Sequence, residues 1–333
     1  MKPLNQVQLS MLDLIPVREG STVADALHFA VRTAQCAERL GFARYWVAEH
    51  HNLPNIASSA TAVLVGHIAG KTSTIRVGAG GIMLPNHAPL VVAEAFGTMA
   101  ELYPERIDLG LGRAPGTDGP TMHALRRDRV ESEDDFPRDV QELLRLLGPA
   151  QPGQRITAMP GAGTNVPIWL LGSGLFAAQL AAHLGLPYAF ASHFAPRMLH
   201  QALDVYRQTF QPSAALTKPY AMVGVPVIAA ASDAEARFLA SSSYQNIRGI
   251  LTNNRTRLPP PVEGFMDRIS ERERAAIAEF LAVGVIGGPA TVRQGLQTLA
   301  DATDADEFIM VSDIFDPELR LRSLEITAQA MRG

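Results

Sequence analysis

Two rhythms of apolar and polar positions alternate along this chain. Gln8 to Leu14 is strand-like, and Thr22 to Leu40 carries apolar residues at helical spacing until Gly41 stops it. Arg44 to Asn52, RYWVAEHHN, opens as a short strand of aromatic and β-branched residues and runs into three titratable side chains. Ser58 or Ser59 is placed to cap a helix reaching about Lys71, and Ile75 to Gly78 begins a third strand that ends in GAGGIMLP. A helix over about 90–102 leads to a fourth strand, Ile107 to Leu111, and then to GRAPGTDGP. Between Arg113 and Val166 the rhythm breaks into a charged stretch from Arg126 to Arg138, a helix to Leu147 and a Gly- and Pro-rich loop. It resumes with strands at Pro167 to Leu171, Tyr188 to Ala191 and within Ala221 to Ala230, separated by helices at about 175–184 and 196–210. A second break, about 236–285, holds two helical runs and NNRTRLPPPVEG; a helix, the strand Glu307 to Val311 and a last helix from Asp316 to Met331 close the chain.

Eight strands, each followed by at least one helix, predict a single (β/α)8 TIM barrel over 1–333, with insertions after strands 4 and 7 at about 113–166 and 236–285. An open doubly wound sheet is disfavoured because no dinucleotide fingerprint follows the first strand. In such a barrel, chemistry sits at the C-terminal ends of the strands.

Composition narrows the partners. The chain has 333 residues, 47% of them apolar, and a formal charge of −4 with no basic block, which argues against nucleic acid and anionic membranes and for a small-molecule substrate. MKPLNQVQLS has no signal-peptide pattern, and no apolar run approaches the roughly 18 residues of a membrane span, so a soluble, cytoplasmic protein is expected. The single cysteine, Cys36, excludes an intrachain disulfide and a cysteine-based zinc site.

Four strand ends carry unusual residues. The second offers Glu49, His50 and His51, and strand periodicity puts Glu49 and His51 on one face and His50 on the other. The third offers Gly78, Gly80 and Gly81, where missing side chains either admit a flat ligand or make a tight turn. The loop beyond it carries His87, a rim residue on this reading. The fourth offers Arg113, a forked cation suited to phosphate unless it is merely a surface arginine. The fifth offers Gly172, Ser173 and Gly174 at a helix start, which holds phosphate through backbone N–H groups unless Ser173 simply caps the helix. No metal is expected, since adjacent strand residues point apart, and no G-x-S-x-G elbow supports a serine hydrolase.

VAEHHN, VGAGGIMLPNH, RIDLGLGRAPGTD and GSGLFAAQLAAHLGLPYAFASHF together resemble the bacterial luciferase-like flavin monooxygenases, most strongly over about 9–127 and 166–196. The resemblance is to single-subunit members related to the luciferase α subunit. It implies FMN, reduced by a separate NAD(P)H-dependent reductase, which reacts with O2 to a C4a-hydroperoxyflavin that oxidises an aldehyde or another small organic molecule. It also implies His50 as the catalytic residue, its pKa near 6.5 suiting proton transfer at neutrality. Cofactor contacts implied are Glu49, Ala79, Gly80, Gly81, Arg113, Ser173, Gly174 and Leu175, with Glu49 supporting the local structure and a cis bond at Gly80-Gly81 against the flavin ring. A homodimer with early helices at its interface follows from the same likeness, as does a lid built from about 113–166 or 253–264. Departures are Gly112, where luciferase has a reactive cysteine, and GSG, where its phosphate turn begins with an acidic residue. Light emission is therefore not implied. A deazaflavin-dependent hydride-transferring oxidoreductase and a non-catalytic flavin-binding protein are the alternatives.

Overall fold

The computed structural model describes residues 2–114, 119–125 and 135–332. Its strands are β1 (Gln8–Asp13), β2 (Arg44–Val47), β3 (Arg76–Met83), β4 (Ile107–Gly112), β5 (Ile168–Gly172), β6 (Tyr188–Phe190), β7 (Ala221–Ala229), β8 (Val285–Gly287) and β9 (Glu307–Val311). Eight of them close a parallel barrel in the order β1, β2, β3, β4, β5, β6, β7, β9, with β9 returning to β1. The expected (β/α)8 barrel is what the chain forms. The short β8 is an addition to that expectation: it pairs with the end of β7, at Val227 to Ala229, and ties the second insertion to the barrel. Val-Ile-Gly, bracketed by Gly284 and Gly288, reads in the sequence as part of a turn.

The helices are α1 (Val23–Arg39), α2 (Thr61–Ala69), α3 (Pro89–Leu102), α4 (Gly119–Leu125), α5 (Asp135–Leu147), α6 (Leu175–Leu184), α7 (Leu199–Thr209), α8 (Asp233–Leu251), α9 (Glu271–Phe280), α10 (Pro289–Thr303) and α11 (Pro317–Arg332). Helix α1 starts at a capping box in which Thr22 and Asp25 satisfy each other's backbone N–H. Helix α2 departs from expectation, because its N-cap is Ala60. Ser58 instead donates its hydroxyl to the Leu14 carbonyl, bracing the β2–α2 loop against the end of β1. Much of the charged stretch 126–138 lies outside the described residues, as does 115–118.

Strand periodicity sorts side chains into two layers. Tyr45, Val47, Val77 and Ala79 face outward into the core shared with the helices, whereas Leu12, Trp46, Ala48, Trp169, Ala189, Met222 and Ile309 fill the lumen. Beneath this apolar layer, at the N-terminal end, the lumen is ionic. Arg44 donates to Asp108 and to Glu307, each at 2.8 Å; Arg76 also reaches Asp108, and the Tyr220 hydroxyl reaches Glu307. Burial alone would push the Arg44 guanidinium down, but the two carboxylates outweigh it and hold it above the ordinary arginine value. This end of the barrel is closed by fully engaged charges, which leaves the opposite end for a ligand.

A second buried pair fastens the last helix to the first strand. Arg320 of α11 donates to Asp13 at 2.9 Å, with side-chain exposures of 4% and 0%. Asp13 also accepts from the Tyr45 hydroxyl and the Ile15 N–H, and Arg320 Nε donates to the Ser312 carbonyl.

Candidate active site

Strand β2 ends at Val47, and the Ala48 N–H continues the ladder to the Asp13 carbonyl at 3.1 Å. Because Trp46 and Ala48 point into the lumen, the same alternation carries His50 inward and Glu49 outward. Glu49 is 1% exposed, and its carboxylate accepts from His51 Nε2 at 2.9 Å, His87 Nε2 at 2.8 Å and the Met83 N–H at 3.2 Å. Burial would raise its pKa, but the donors from His87, His51 and Met83 prevail and hold it below the usual glutamate value. Glu49 therefore braces the ends of β2 and β3. His87, expected at the rim, belongs to this brace. One carboxylate and two imidazoles thus have ligand atoms within 4.8 Å of one another, an arrangement that the two hydrogen bonds to a single carboxylate oxygen account for without an ion.

His50 makes no hydrogen bond among the described residues, and its Nδ1 is shielded from water. Burial pushes its pKa down to about 4, helped by the nearby positive charge of Arg255 and by His51, with Glu49 opposing. This corrects the expectation of an imidazole near 6.5: at neutral pH His50 is a neutral ring with one donor and one acceptor nitrogen.

The glycines also need correction. They lie inside β3, where the register to β4 shifts between Ala79 and Ile82, and the Gly80-Gly81 peptide is cis as expected. A Cβ at Gly78 would stand 2.5 Å from the Asp108 carbonyl oxygen, one at Gly81 2.6 Å from the Gly110 carbonyl oxygen, and one at Gly80 2.7 Å from Leu12 Cδ1. Close approach of neighbouring strands and of Leu12 requires these glycines, whatever else rests on them. Ala79 is fully buried with its side chain in the outer core, so only its backbone can meet a ligand.

Across the mouth, the structure brings Arg113 to the turn before α6. The Arg113 guanidinium lies 4.2 Å from the centre of the Phe176 ring, one residue beyond Leu175, which opens that helix. The N-cap is Gly174 and no side chain caps it, so Ser173 does not serve as a simple helix cap. Space is open for 4 Å around the position a Gly174 Cβ would take. An uncapped helix start, a hydroxyl and a stacked cation therefore meet at one point.

Sequence reasoning passed over His193 and Arg255. His193 follows β6, which stands opposite β2 in the ring of eight strands. The Ser192 hydroxyl donates to the Gly224 carbonyl at 2.6 Å and seats the His193 ring over Gly224, where a Cβ would be 2.3 Å from Nδ1. Gly224 pairs with Ile309 and faces the lumen, so His193 enters the mouth from the side opposite His50. Like His50 it makes no hydrogen bond among the described residues, and burial, with His50 nearby, pushes its pKa down to about 4. A histidine two residues past a strand end was the available signal. Arg255 lies in the second insertion, between α8 and Leu258, whose backbone exchanges hydrogen bonds with Val17 and Glu19. That loop was expected as part of a lid; it is pinned to the β1–α1 connection.

These two imidazoles set an acid limit. Each titrates near 6.5 when unfolded and near 4 when folded, so between those values the unfolded chain binds more protons and stability falls as pH falls. The drop is about 3 kcal/mol per ring at about 1.4 kcal/mol for each pH unit. Urea unfolding at pH 7, 5.5 and 4.5 should show this loss, and it should shrink in His193→Leu; an unchanged slope in that variant would refute the assignment.

The family model for luciferase-like monooxygenases matches residues 7–306. This chain belongs to that family. A luciferase-like monooxygenase of Escherichia coli K12 is 49% identical over 96% of each chain. The crystal structure of apo-MsnO8 superposes with a TM-score of 0.87 at 38% identity, covering 97% of this chain and 98% of that one. The oxygenating constituent of 3,6-diketocamphane monooxygenase from Pseudomonas putida, solved in complex with FMN, shares the family barrel with a TM-score of 0.72 at 16% identity, covering 97% of each chain. Among the described residues no helix is long and apolar enough to cross a membrane.

Proposed function

We propose that this family member is a flavin-dependent monooxygenase that takes reduced FMN from a separate NAD(P)H-dependent reductase and inserts one atom of O2 into a small organic substrate such as an aldehyde. The observation that carries this reading is the pairing, at one barrel mouth, of the hydrogen-bond-free His50 with the uncapped turn at Gly174 beside Arg113. The N–H groups at the start of α6, the Ser173 hydroxyl and Arg113 would hold the phosphate. The backbone of Ala79, Gly80 and Gly81 would meet the flavin ring, and His50 would offer a neutral nitrogen beside it. When bound, reduced flavin supplies the two electrons that activate oxygen. His50 contributes a hydrogen bond at the reacting end, and the ionic floor around Arg44 keeps bulk water from entering from below. Exposed Val63, Val91 and Leu102 on α2 and α3 support the homodimer reading, with these early helices at the interface.

Rapid mixing of the protein and anaerobically reduced FMN with oxygenated buffer tests the proposal. The return of oxidised-flavin absorbance is expected to be slower than for free FMN. Reoxidation as fast as free flavin would reject FMN-dependent oxygenation and direct attention to deazaflavin hydride transfer or to flavin binding without turnover.

A further inference from the structure

Arg255 is a half-buried cation with no ion pair and no hydrogen bond among the described residues. The neighbouring arginines of this insertion are engaged: Arg248 pairs with Glu273, and Arg257 donates to the Ser21 carbonyl. Burial depresses the Arg255 pKa and no carboxylate opposes it, so no counter-charge among the described residues answers this one. Yet its loop is fixed, with the Asn254 N–H on the Gly249 carbonyl and Leu258 held on both sides by Val17 and Glu19. Its charge is felt by His50. Of the other charges at these strand ends, Glu49 is held by His51, His87 and Met83, Arg113 is stacked on Phe176, Arg18 donates to the Phe315 carbonyl, and Asp313 accepts from Asn246, with burial raising its pKa. A half-buried guanidinium without a counter-charge keeps its forked donors available to an anion.

We propose that the substrate is a small organic anion, a carboxylate, whose charged end is held by Arg255 and whose reacting part extends between His50 and His193 over the apolar lumen of Trp46, Trp169 and Met222. This assigns a substrate class to the site read above as a monooxygenase, and Arg255 as its specificity-determining residue. A guanidinium matches a carboxylate in two parallel hydrogen bonds, which fixes direction as well as position. Held at that end, the molecule presents its far, uncharged part to the two neutral rings.

The test uses the full chain and two isosteric probes, hexanoate and hexanamide, with binding followed by ligand-observed saturation-transfer NMR and FMN affinity by fluorescence in parallel. Wild type is expected to bind hexanoate at least about tenfold more tightly than hexanamide, about 1.4 kcal/mol. Arg255→Met should remove the preference and Arg255→Lys should keep part of it, with FMN affinity within about twofold of wild type in both. Hexanoate should also raise the pH at which the His50 ring titrates, by neutralising Arg255, an effect that a merely structural arginine would not produce. Equal binding of the two probes, no detectable hexanoate binding, or a preference that survives Arg255→Met would each overturn the proposal. So would loss of FMN affinity in Arg255→Met without a change in probe preference, which would give Arg255 to the cofactor. If wild type fails to bind FMN but discriminates the probes, the flavin reading falls and the anion site stands.

Discussion

His50→Ala is expected to lower oxygenated product by about two orders of magnitude or more, in the range set by loss of a positioned acid–base or hydrogen-bonding group. FMN affinity should change by less than about threefold. The asymmetry follows from geometry: the ring faces the lumen, donates to and accepts from no described residue, and lies across the mouth from the turn that would hold the phosphate. Removing it breaks no hydrogen bond among the described residues, so the protein should unfold at nearly the same urea concentration at pH 7. Product is measured with chemically or enzymatically reduced FMN and any substrate established for wild type. A parallel loss of product and of FMN binding would make His50 a structural residue.

Arg320→Ala carries the largest expected cost in stability, about 3–5 kcal/mol, because it strands the Asp13 carboxylate in the interior. Burial would raise the Asp13 pKa; Arg320 by charge and hydrogen bond, then Tyr45 and Ile15, reverse this and hold it below the ordinary value. With the guanidinium gone, the Tyr45 hydroxyl and the Ile15 N–H are the donors left, among the described residues, to a carboxylate whose side chain is 0% exposed. The double variant Asp13→Leu with Arg320→Met removes both charges and should recover much of the loss. Urea titration of the three proteins measures the comparison, and a single-variant cost under about 1 kcal/mol would show that the pair is dispensable.

The barrel was legible because the strands of the ring lie in apolar or β-branched runs between stretches of helical spacing; even β6, three residues as an element, sits in the run Tyr188 to Ala191 with no glycine in it. Val285 to Gly287 escaped because Gly284 and Gly288 bracket it like a turn, and only the edge at the end of β7 organises it as a strand. The candidate residues at the ends of β2, β4 and β5 do meet at one mouth, since parallel strands bring all their C-terminal ends to the same side. What could not be read was orientation against neighbours. Gly78 and Gly81 look like space for a ligand until the carbonyls of Asp108 and Gly110 occupy it, and Ala79 turns its methyl away from the lumen. His87 becomes a brace only through a carboxylate 38 residues earlier in the chain. The pKa of His50 depends on burial and on Arg255, some two hundred positions away, a relation that no local pattern encodes.

The loop after α8 is fastened twice, by the Asn254 N–H on the Gly249 carbonyl and by Leu258 on the β1–α1 connection, and Arg255 hangs between the fasteners. The backbone hydrogen bonds of that span run to α8 and to the β1–α1 connection and are separate from the strand ladder of the barrel. Exchanging residues between Thr252 and Arg257 would therefore change the wall of the mouth on that side while leaving the strand ladder and the turn before α6 untouched.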